Sequence, residues 1–319
     1  MDSICTKFVP PLQPRDYVHR PPLCDQLANM EEYRLTALQA PAGYGKTTLL
    51  AKWFELLRMR DILVGWLTFD SRDRTAGDLM AALGAMLATE SRLGSRLDSF
   101  FRDEAAFNTE ALLATIIERL ADYGKPVFLF LDDTHVIGEG ASTALAEFIN
   151  RVPENTHIVL STREARVVEL GALRAYGRLY EINAPELRFT LEEASALFTA
   201  LDDTQIEAEE LETLVRKTEG WIAGLKLARL TAKRHGDRKR FIDRFSGREK
   251  FVAEFFAEDV FGRQLDDVRE FLLKTSVFDR ITAPLCDKIV KRGDSATVLR
   301  HLEEVGLFVE RLDEEGTTY

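Results

Sequence analysis

Apolar residues in the first half of the chain follow two alternating spacings. Five short apolar runs have the length of buried strands; they begin at Arg34, Ile62, Pro126, His157 and Leu179. The segments between them, including residues 76–89 and 110–123, repeat apolar positions at helical spacing. Strands that alternate with helices form parallel sheets through right-handed crossovers. We therefore predict an α/β domain with a five-stranded parallel sheet over residues 1–187.

After about residue 188 the strand patterns stop and helical patterns take over. Thr190 and Glu193 have the spacing of a capping box at the start of the first helix. Helical segments continue to about Arg234, and another amphipathic helix is predicted at 251–260. We predict a separate helical domain over residues 188–245.

The last part of the chain has a compact pattern of three short helices and a strand. The helices begin at Asp266, Thr282 and Ser295, and Pro284 lies in the first turn of the second. The strand and turn in "LFVERLDEEGTTY" follow, and this order is typical of a winged helix. We predict a winged-helix domain at 246–319 with a truncated wing, because the sequence stops inside the second strand of the hairpin.

Composition and charge narrow the classes of function. Acidic residues outnumber basic ones 53 to 42 in the 319 residues, and a net charge of −11 disfavours a general nucleic-acid surface. The odd, widely spaced Cys5, Cys24 and Cys286 suggest neither a disulfide framework nor a zinc site. The proline-rich N-terminus lacks an apolar signal region, and no apolar stretch approaches the roughly 20 residues of a membrane span. We expect a cytoplasmic protein.

The stretch "APAGYGKTT" lies between the first predicted strand and an amphipathic helix. Glycines allow backbone N–H groups to surround a phosphate, a lysine binds the β- and γ-phosphates, and a hydroxyl binds Mg²⁺. The pattern GxxxxGK[ST] has Ala40 where its first glycine is expected, and a purely structural turn is the alternative. The candidate cofactor-binding residues here are Gly43, Tyr44, Gly45, Lys46, Thr47 and Thr48.

Two acids end the apolar run "VFLFLDD". Asp132 is the candidate residue that holds magnesium through water, together with the hydroxyl of Thr47, and Asp133 is the candidate residue that orients or deprotonates an attacking water. The alternative for Asp133 is a loop cap without a catalytic part. His135 is interpreted as a hydrogen-bonding loop residue rather than a base.

A third element is "LSTRE", in which Arg163 follows a strand. Ligands of parallel sheets bind beyond the carboxyl ends of the strands, so this arginine would face the γ-phosphate and distinguish a triphosphate from a diphosphate. The alternative is a surface arginine, and Arg166 is a weaker candidate.

These pieces, together with "TEGWIAGLKLA" and "FLLKTSVFDRITAPLCDKI", resemble the STAND class of P-loop ATPases, and more closely the ATPase module of MalT-like, LuxR-type transcriptional regulators. The resemblance implies a sheet with an extra strand between the phosphate-loop strand and the acidic strand. It implies that Val18 and Arg20 lie near the adenine and that residues 220–224 cover the base or sugar. Trp221 is then a cofactor-binding candidate, with a core anchor as the alternative. The resemblance also implies sensor repeats and a DNA-binding helix-turn-helix that these 319 residues do not include.

Local charges disfavour DNA binding by the winged helix itself. Its third helix carries Glu303 and Glu304 against Arg300, whereas DNA recognition needs Lys and Arg contacts to phosphate. The acids of the predicted wing are Glu310, Asp313, Glu314 and Glu315. The basic run at 229–250 is interpreted as a solvated face, and contact with nucleic acid or an acidic partner is the alternative.

The functional hypothesis is a signal-transduction ATPase that binds ATP or ADP with Mg²⁺. With ADP the domains are closed and the protein is a monomer; with ATP and a small-molecule or protein inducer it self-associates, and slow hydrolysis resets it. DNA would be bound only through the C-terminal domain, and no membrane is involved. The alternatives are an AAA+ or origin-binding-like ATPase that acts directly on nucleic acid, and a nucleotide-bound scaffold that does not hydrolyse ATP.

Overall fold

The computed structural model describes residues 6–90, 92, 108–163, 170–203, 206–232, 238–246, 250–262, 264–278, 280–304, 309, 311–313 and 317–319, without the side chains of 259, 260 and 304. The chain divides into two compact units. Unit 1 comprises residues 1–39 and 45–186, and unit 2 comprises residues 40–44 and 187–319. The boundary at 245/246 between a helical and a winged-helix domain stays a prediction.

Unit 1 is built on a five-stranded parallel sheet, as predicted. Its strands are β1 Leu35–Gln39, β2 Leu63–Thr68, β3 Val127–Asp132, β4 Thr156–Thr162 and β5 Leu179–Asn183. The order across the sheet is β2-β3-β4-β1-β5, and every pair is parallel. Strand β4 therefore lies between β1 and β3, which confirms the predicted sheet type. The carboxyl ends of β1, β3 and β4 lie side by side along one edge.

Helices cover both faces of this sheet. They are α1 Pro21–Asp25, α2 Lys46–Met59, α3 Ala76–Ala88, α4 Thr109–Tyr123, α5 Glu139–Arg151, α6 Gly171–Ala175 and α7 Ala184–Leu187. Short 3-10 helices lie at Thr6–Phe8, Gln26–Ala28, Met30–Glu32 and Thr134–Val136. On one face α3, α4 and α5 bury a continuous hydrophobic core. On the other face Phe54 of α2 packs edge-on against Trp66 and Phe130, whose rings stack 6.1 Å apart.

A buried ion pair fixes the N-terminal segment of unit 1. Lys7 Nζ lies 2.6 and 2.7 Å from the two carboxylate oxygens of Asp73, in the loop after β2, and Asp73 is buried. The carbonyl oxygen of Asp73 accepts the backbone N–H of Gly138 at 3.0 Å. The N-terminal segment, the loop after β2 and the loop after β3 are thus linked through one aspartate.

Helices dominate the described part of unit 2. They are α8 Leu191–Ala200, α9 Ala208–Thr218, α10 Ile222–Ala232, α11 Arg238–Arg244 and α12 Lys250–Phe255, followed by a π-helix at Phe256–Phe261. Thr190 and Glu193 form both hydrogen bonds of the predicted capping box. The helix predicted at 251–260 is present, but its second half has π geometry, which periodicity alone does not distinguish.

Three helices of unit 2 confirm the winged-helix pattern: α13 Asp266–Thr275, α14 Ala283–Val290 and α15 Ser295–Glu304. Phe271, Leu299 and Leu302 are central to their core. The backbones of Ile281 and Tyr319 exchange two hydrogen bonds of 2.9 Å, which pairs the segment before α14 with the last residues of the sequence. The sequence analysis missed that pairing. Glu310, Glu314 and Glu315 lie outside the described residues, as does the side chain of Glu304.

Several residues of the basic run pair with acids of unit 2. The guanidinium of Arg238 binds both carboxylate oxygens of Asp203 at 3.0 and 3.1 Å, and Arg229 Nε lies 3.3 Å from the same carboxylate. Lys239 pairs with Glu209 at 3.4 Å. Residues 233–237 and 247–249 lie outside the described residues. Among the segments that the structure describes, no helix is long and apolar enough to cross a membrane.

Candidate functional site

The loop between β1 and α2 has the backbone geometry of an anion cradle. Gly43 and Gly45 have φ values of +80° and +79°, in the left-handed region that residues with a Cβ rarely adopt. Gly45 immediately precedes α2. The N–H groups at the start of a helix are without intrahelical partners and carry partial positive charge, so they attract anions.

Lys46, the first residue of α2, is a buried cation with only 6% of its surface exposed. Burial, and then the positive charge of Arg163, lowers the pKa of the ammonium to about 8, against the opposing effect of Asp133 and Asp132. Burial and a like charge both destabilise a protonated lysine. An anionic ligand would restore that stability, which fits a phosphate.

Thr47 and Asp132 bring two oxygens together at the end of β3. The hydroxyl of Thr47 donates to Asp132 Oδ1 at 3.2 Å. Burial, and then repulsion from Asp133, raises the pKa of Asp132, while hydrogen bonds from Ser161 and Thr47 and the charge of Lys46 lower it. Among the described residues no group of three His, Cys, Asp or Glu side chains could hold a metal ion. The pair fits Mg²⁺, which uses one or two protein oxygens and completes its shell with water and phosphate.

Ser161, on β4, was not a candidate from sequence, and it contacts both acids. Its hydroxyl donates to Asp132 Oδ1 at 2.5 Å and accepts the backbone N–H of Asp133 at 3.0 Å. Its carbonyl oxygen accepts the hydroxyl of Thr134 at 2.8 Å. The position of a serine near the end of a strand beside the acidic strand was the only sequence feature that pointed to it.

Asp133 leaves the sheet in a left-handed backbone conformation, with φ +56° and ψ +40°. An aspartate tolerates that region at some cost. Its carboxylate is about one-third exposed and lies 3.8 Å from His135 Nδ1. The side chain is therefore open to water while its charge acts on Lys46. That arrangement is compatible with the predicted role and does not test it.

Arg163 follows β4 directly and is close enough to Lys46 to lower its pKa. The structure thus brings Lys46, Thr47, Asp132, Asp133 and Arg163 together at the carboxyl edge of one sheet. The weaker candidate Arg166 lies outside the described residues.

The first half of the loop, residues 40–44, belongs to unit 2 and contacts the start of α10. The indole Nε1 of Trp221 donates to the carbonyl oxygen of Ala42 at 3.0 Å, and the N–H of Ala223 donates to the carbonyl oxygen of Gly43 at 3.1 Å. A Cβ on Gly43 would come within 2.6 Å of the Ala223 Cβ. The Trp221 ring also stacks on Phe256 at 5.2 Å. Trp221 is thus a packing anchor of unit 2, and contact with the base stays a prediction.

The remaining candidates lie in different surroundings. Burial raises the pKa of Tyr44 in unit 2, with opposing effects from Arg188. In unit 1, Val18 and Arg20 are buried, and the carbonyl oxygen of Thr48 accepts a hydrogen bond from Gln13 at 3.2 Å. Their proximity to an adenine stays a prediction.

Sheet order, glycine loop, buried lysine and paired acids together define a P-loop NTPase fold with an additional strand between the phosphate-loop and acidic strands. A solved structure of this kind, the Walker-type ATPase PABY2304 of Pyrococcus abyssi, superposes with a TM-score of 0.61 at 18% identity, covering 97% of this chain and 95% of its own. That likeness shows the fold.

Sequence comparisons show more specific similarities. Residues 257–319 match the family model of the MalT winged helix domain. Over 98% of the chain the sequence is 29% identical to the HTH-type transcriptional regulator MalT of Serratia proteamaculans, and over 97% it is 27% identical to the serine/threonine-protein kinase PknK of Mycobacterium tuberculosis. The chain spans 35% of that MalT and 28% of that PknK. Over nearly its whole length the chain is thus similar to MalT regulators, in line with the resemblance that its motifs predict.

Proposed function

We propose that this chain is an ATP- and ADP-binding switch module with slow ATP hydrolysis. The observation that carries the proposal is the position of Lys46: it is buried at the first residue of α2, directly after a loop in which Gly43 and Gly45 have positive φ, and the charges of Asp132, Asp133 and Arg163 act on it. The N–H groups at the start of a helix after a glycine loop form an anion-binding site, and a cation there adds to the attraction. A nucleoside polyphosphate would supply that anion.

Each side chain of the site would have its own role. Lys46 and the N–H groups of the loop would bind the phosphates, while Thr47 and Asp132 would hold Mg²⁺, which neutralises phosphate charge when bound. Asp133, with its partly exposed carboxylate, would orient a water and accept its proton. Arg163 would contact the γ-phosphate and so distinguish ATP from ADP.

A switch needs a route from the phosphates to the rest of the molecule. Residues 40–44 are held in unit 2 by hydrogen bonds from Trp221 and Ala223. They continue directly into Gly45 and Lys46. A change in loop conformation would therefore act on α10. Moving a population from 1:99 to 99:1 needs about 5.5 kcal/mol of differential affinity. One contact from Arg163 is too little, so we propose that an inducer and a self-association interface contribute the rest.

What the switch controls would depend on the protein that contains this module. One relative is named a transcriptional regulator and another a protein kinase, and this chain matches a similar module in both. We propose a cytoplasmic regulator that is a closed monomer with ADP and self-associates with ATP and its inducer. DNA contact would be left to a further domain, because Glu303 in the third winged-helix helix pairs with Arg311 at 2.8 Å rather than presenting a basic face.

Calorimetry with ATP and ADP, each with and without Mg²⁺, tests the binding proposal. A stopped assay with radiolabelled ATP then separates the alternatives. Slow turnover supports the switch, fast turnover with salt-sensitive DNA binding supports a nucleic-acid machine, and no turnover supports a scaffold. Absence of binding for both nucleotides would refute the proposal.

A further inference from the structure

Ser161 lies at the sixth position of β4, fully buried between two acids. A serine hydroxyl has one proton to donate and lone pairs to accept. The hydroxyl of Ser161 donates its proton to Asp132 Oδ1, and its oxygen accepts a hydrogen bond from the N–H of Asp133. One hydroxyl therefore ties the side chain of the first acid to the backbone of the second.

We propose that Ser161 is a positioning residue that sets both acids at once: it aims the Asp132 carboxylate at Thr47 and holds the left-handed backbone of Asp133. This inference rests on the proposed function, since it assigns a purpose to the two acids. Ser161 itself touches neither nucleotide nor metal in this proposal.

The geometry at Asp132 supports the first half of the inference. The hydroxyls of Ser161 and Thr47 donate to the same oxygen, Oδ1, from β4 and from α2. Two donors on one oxygen fix the rotation of the carboxylate more tightly than either does alone. A magnesium-binding carboxylate must be held to within a fraction of an ångström, so loss of one donor should weaken metal binding first.

The backbone at Asp133 supports the second half. A non-glycine residue at φ +56° is strained by roughly 1 kcal/mol or more and persists only where the surroundings fix it. The N–H of Asp133 would lose its hydrogen bond without the Ser161 hydroxyl. A catalytic carboxylate displaced by about 1 Å can lose on the order of 100-fold in rate.

A hydrogen bond to the backbone of Ser161 makes the inference testable. The carbonyl oxygen of Ser161 accepts the buried hydroxyl of Thr134, and this bond survives any change to the Ser161 side chain. Ser161→Ala should therefore keep the loop after β3 attached to β4 while releasing only the two contacts of the hydroxyl. Ser161→Thr keeps a hydroxyl in place.

The experiment measures ATP affinity by calorimetry as a function of Mg²⁺ concentration. We expect Ser161→Ala to raise the Mg²⁺ concentration for half-maximal strengthening of ATP binding about tenfold, while ATP affinity in EDTA changes less than about twofold. The turnover number should fall more than KM rises. By NMR, the amide of Asp133 should exchange faster. Ser161→Thr should restore all three readouts in large part.

Thr156→Ala is the matched control, because it removes a buried hydroxyl from the opposite end of the same strand. It should leave the Mg²⁺ dependence unchanged.

Two results for Ser161→Ala would overturn the inference. One is an equal loss of ATP affinity with and without Mg²⁺, and the other is exchange of the Asp133 amide at the wild-type rate. If Ser161→Ala does not fold, Ser161→Cys is measured with the same two outcomes. Failure of the wild type to bind ATP would instead refute the proposed function.

Discussion

The indole of Trp221 and the carbonyl oxygen of Ala42 are joined by a hydrogen bond of 3.0 Å, so the helical part of unit 2 holds the first half of the glycine loop. The ring stacks on Phe256 as well. Trp221 thus has two separable functions: its ring fills the core of unit 2, and its single N–H fixes the path of the loop.

Trp221→Phe should keep the stacking and remove the donor. We expect a loss of about 1 kcal/mol in the free energy of unfolding and a loss of up to about fivefold in ADP affinity, because the loop is less well ordered before binding. Trp66→Phe is the control, since its indole donates to the side chain of Thr68 in β2 rather than to the loop. That change should cost similar stability and leave the affinity intact. Equal affinity losses in both variants would contradict a specific role for Trp221.

Lys46→Ala should abolish measurable nucleotide binding, because it removes the buried cation that directly follows the loop. Calorimetry with ATP and ADP checks this. Lys52→Ala, on the same helix and paired with Glu55 at 2.9 Å, is the control and should bind both nucleotides normally. Undiminished ATP affinity in Lys46→Ala would refute the phosphate-loop assignment.

The lowered pKa of Lys46 predicts how both binding and stability change with pH. Below about pH 8 the ammonium is charged and nucleotide affinity should be constant; above it the affinity should fall, by at most about tenfold per pH unit. Lys46→Arg, if it binds, should lack this fall, because a guanidinium stays charged.

For the protein without nucleotide, the lowered pKa of Lys46 predicts that stability rises with pH, whereas nucleotide affinity falls. Since folding disfavours the charged form, Lys46 costs stability below about pH 8, and the cost disappears as pH rises from about 8 towards 10.5. Lys46→Met should therefore unfold at a higher temperature than wild type at pH 7, and the difference should shrink across that window. A constant difference would mean that the pKa of Lys46 is not lowered.

Arg163→Ala should weaken ATP about tenfold or more and ADP by less than about threefold, because only ATP offers the γ-phosphate. Competition calorimetry at fixed Mg²⁺ measures both. Arg151→Ala, which removes a guanidinium paired with Glu110 and Glu147 on the exposed side of α5, should change neither affinity. Equal losses for the two nucleotides would rule out sensing of the γ-phosphate at Arg163.

Asp203→Asn should destabilise unit 2 by about 3 kcal/mol, because it leaves the buried Arg229 and the partly buried Arg238 without their shared carboxylate. Denaturant unfolding measures this. Glu209→Gln, which breaks only the exposed pair with Lys239, should stay within about 0.5 kcal/mol of wild type. If Asp203→Asn also stays within about 0.5 kcal/mol of wild type, its ion pairs with Arg229 and Arg238 are dispensable for stability.

Local patterns in the sequence predicted the elements well. The runs at Val127–Asp132 and Thr156–Thr162 are strands, and Thr190 caps its helix as its spacing to Glu193 indicates. Those features depend on neighbours within a few residues. They also place the acids and the arginine at one edge of the sheet, since parallel strands end together.

Contacts between distant residues were not predictable in the same way. The hydroxyl of Ser161 meets Asp132 and Asp133 across 29 and 28 positions of sequence, and Trp221 meets Ala42 across 179. No periodicity relates such residues, because their contact depends on the order of strands and the packing of helices. Asp203, which joins two arginines of the basic run, is a similar case.

The salt bridge between Lys7 and Asp73 has a practical meaning for anyone preparing the protein. Asp73 is buried, and Lys7 is a charged partner placed 2.6 Å away by a segment only seven residues from the start of the sequence. Trimming those residues, or letting a protease remove them during purification, would leave the aspartate with much of its charge uncompensated and loosen the loops it joins. Recombinant versions should therefore keep Lys7 intact.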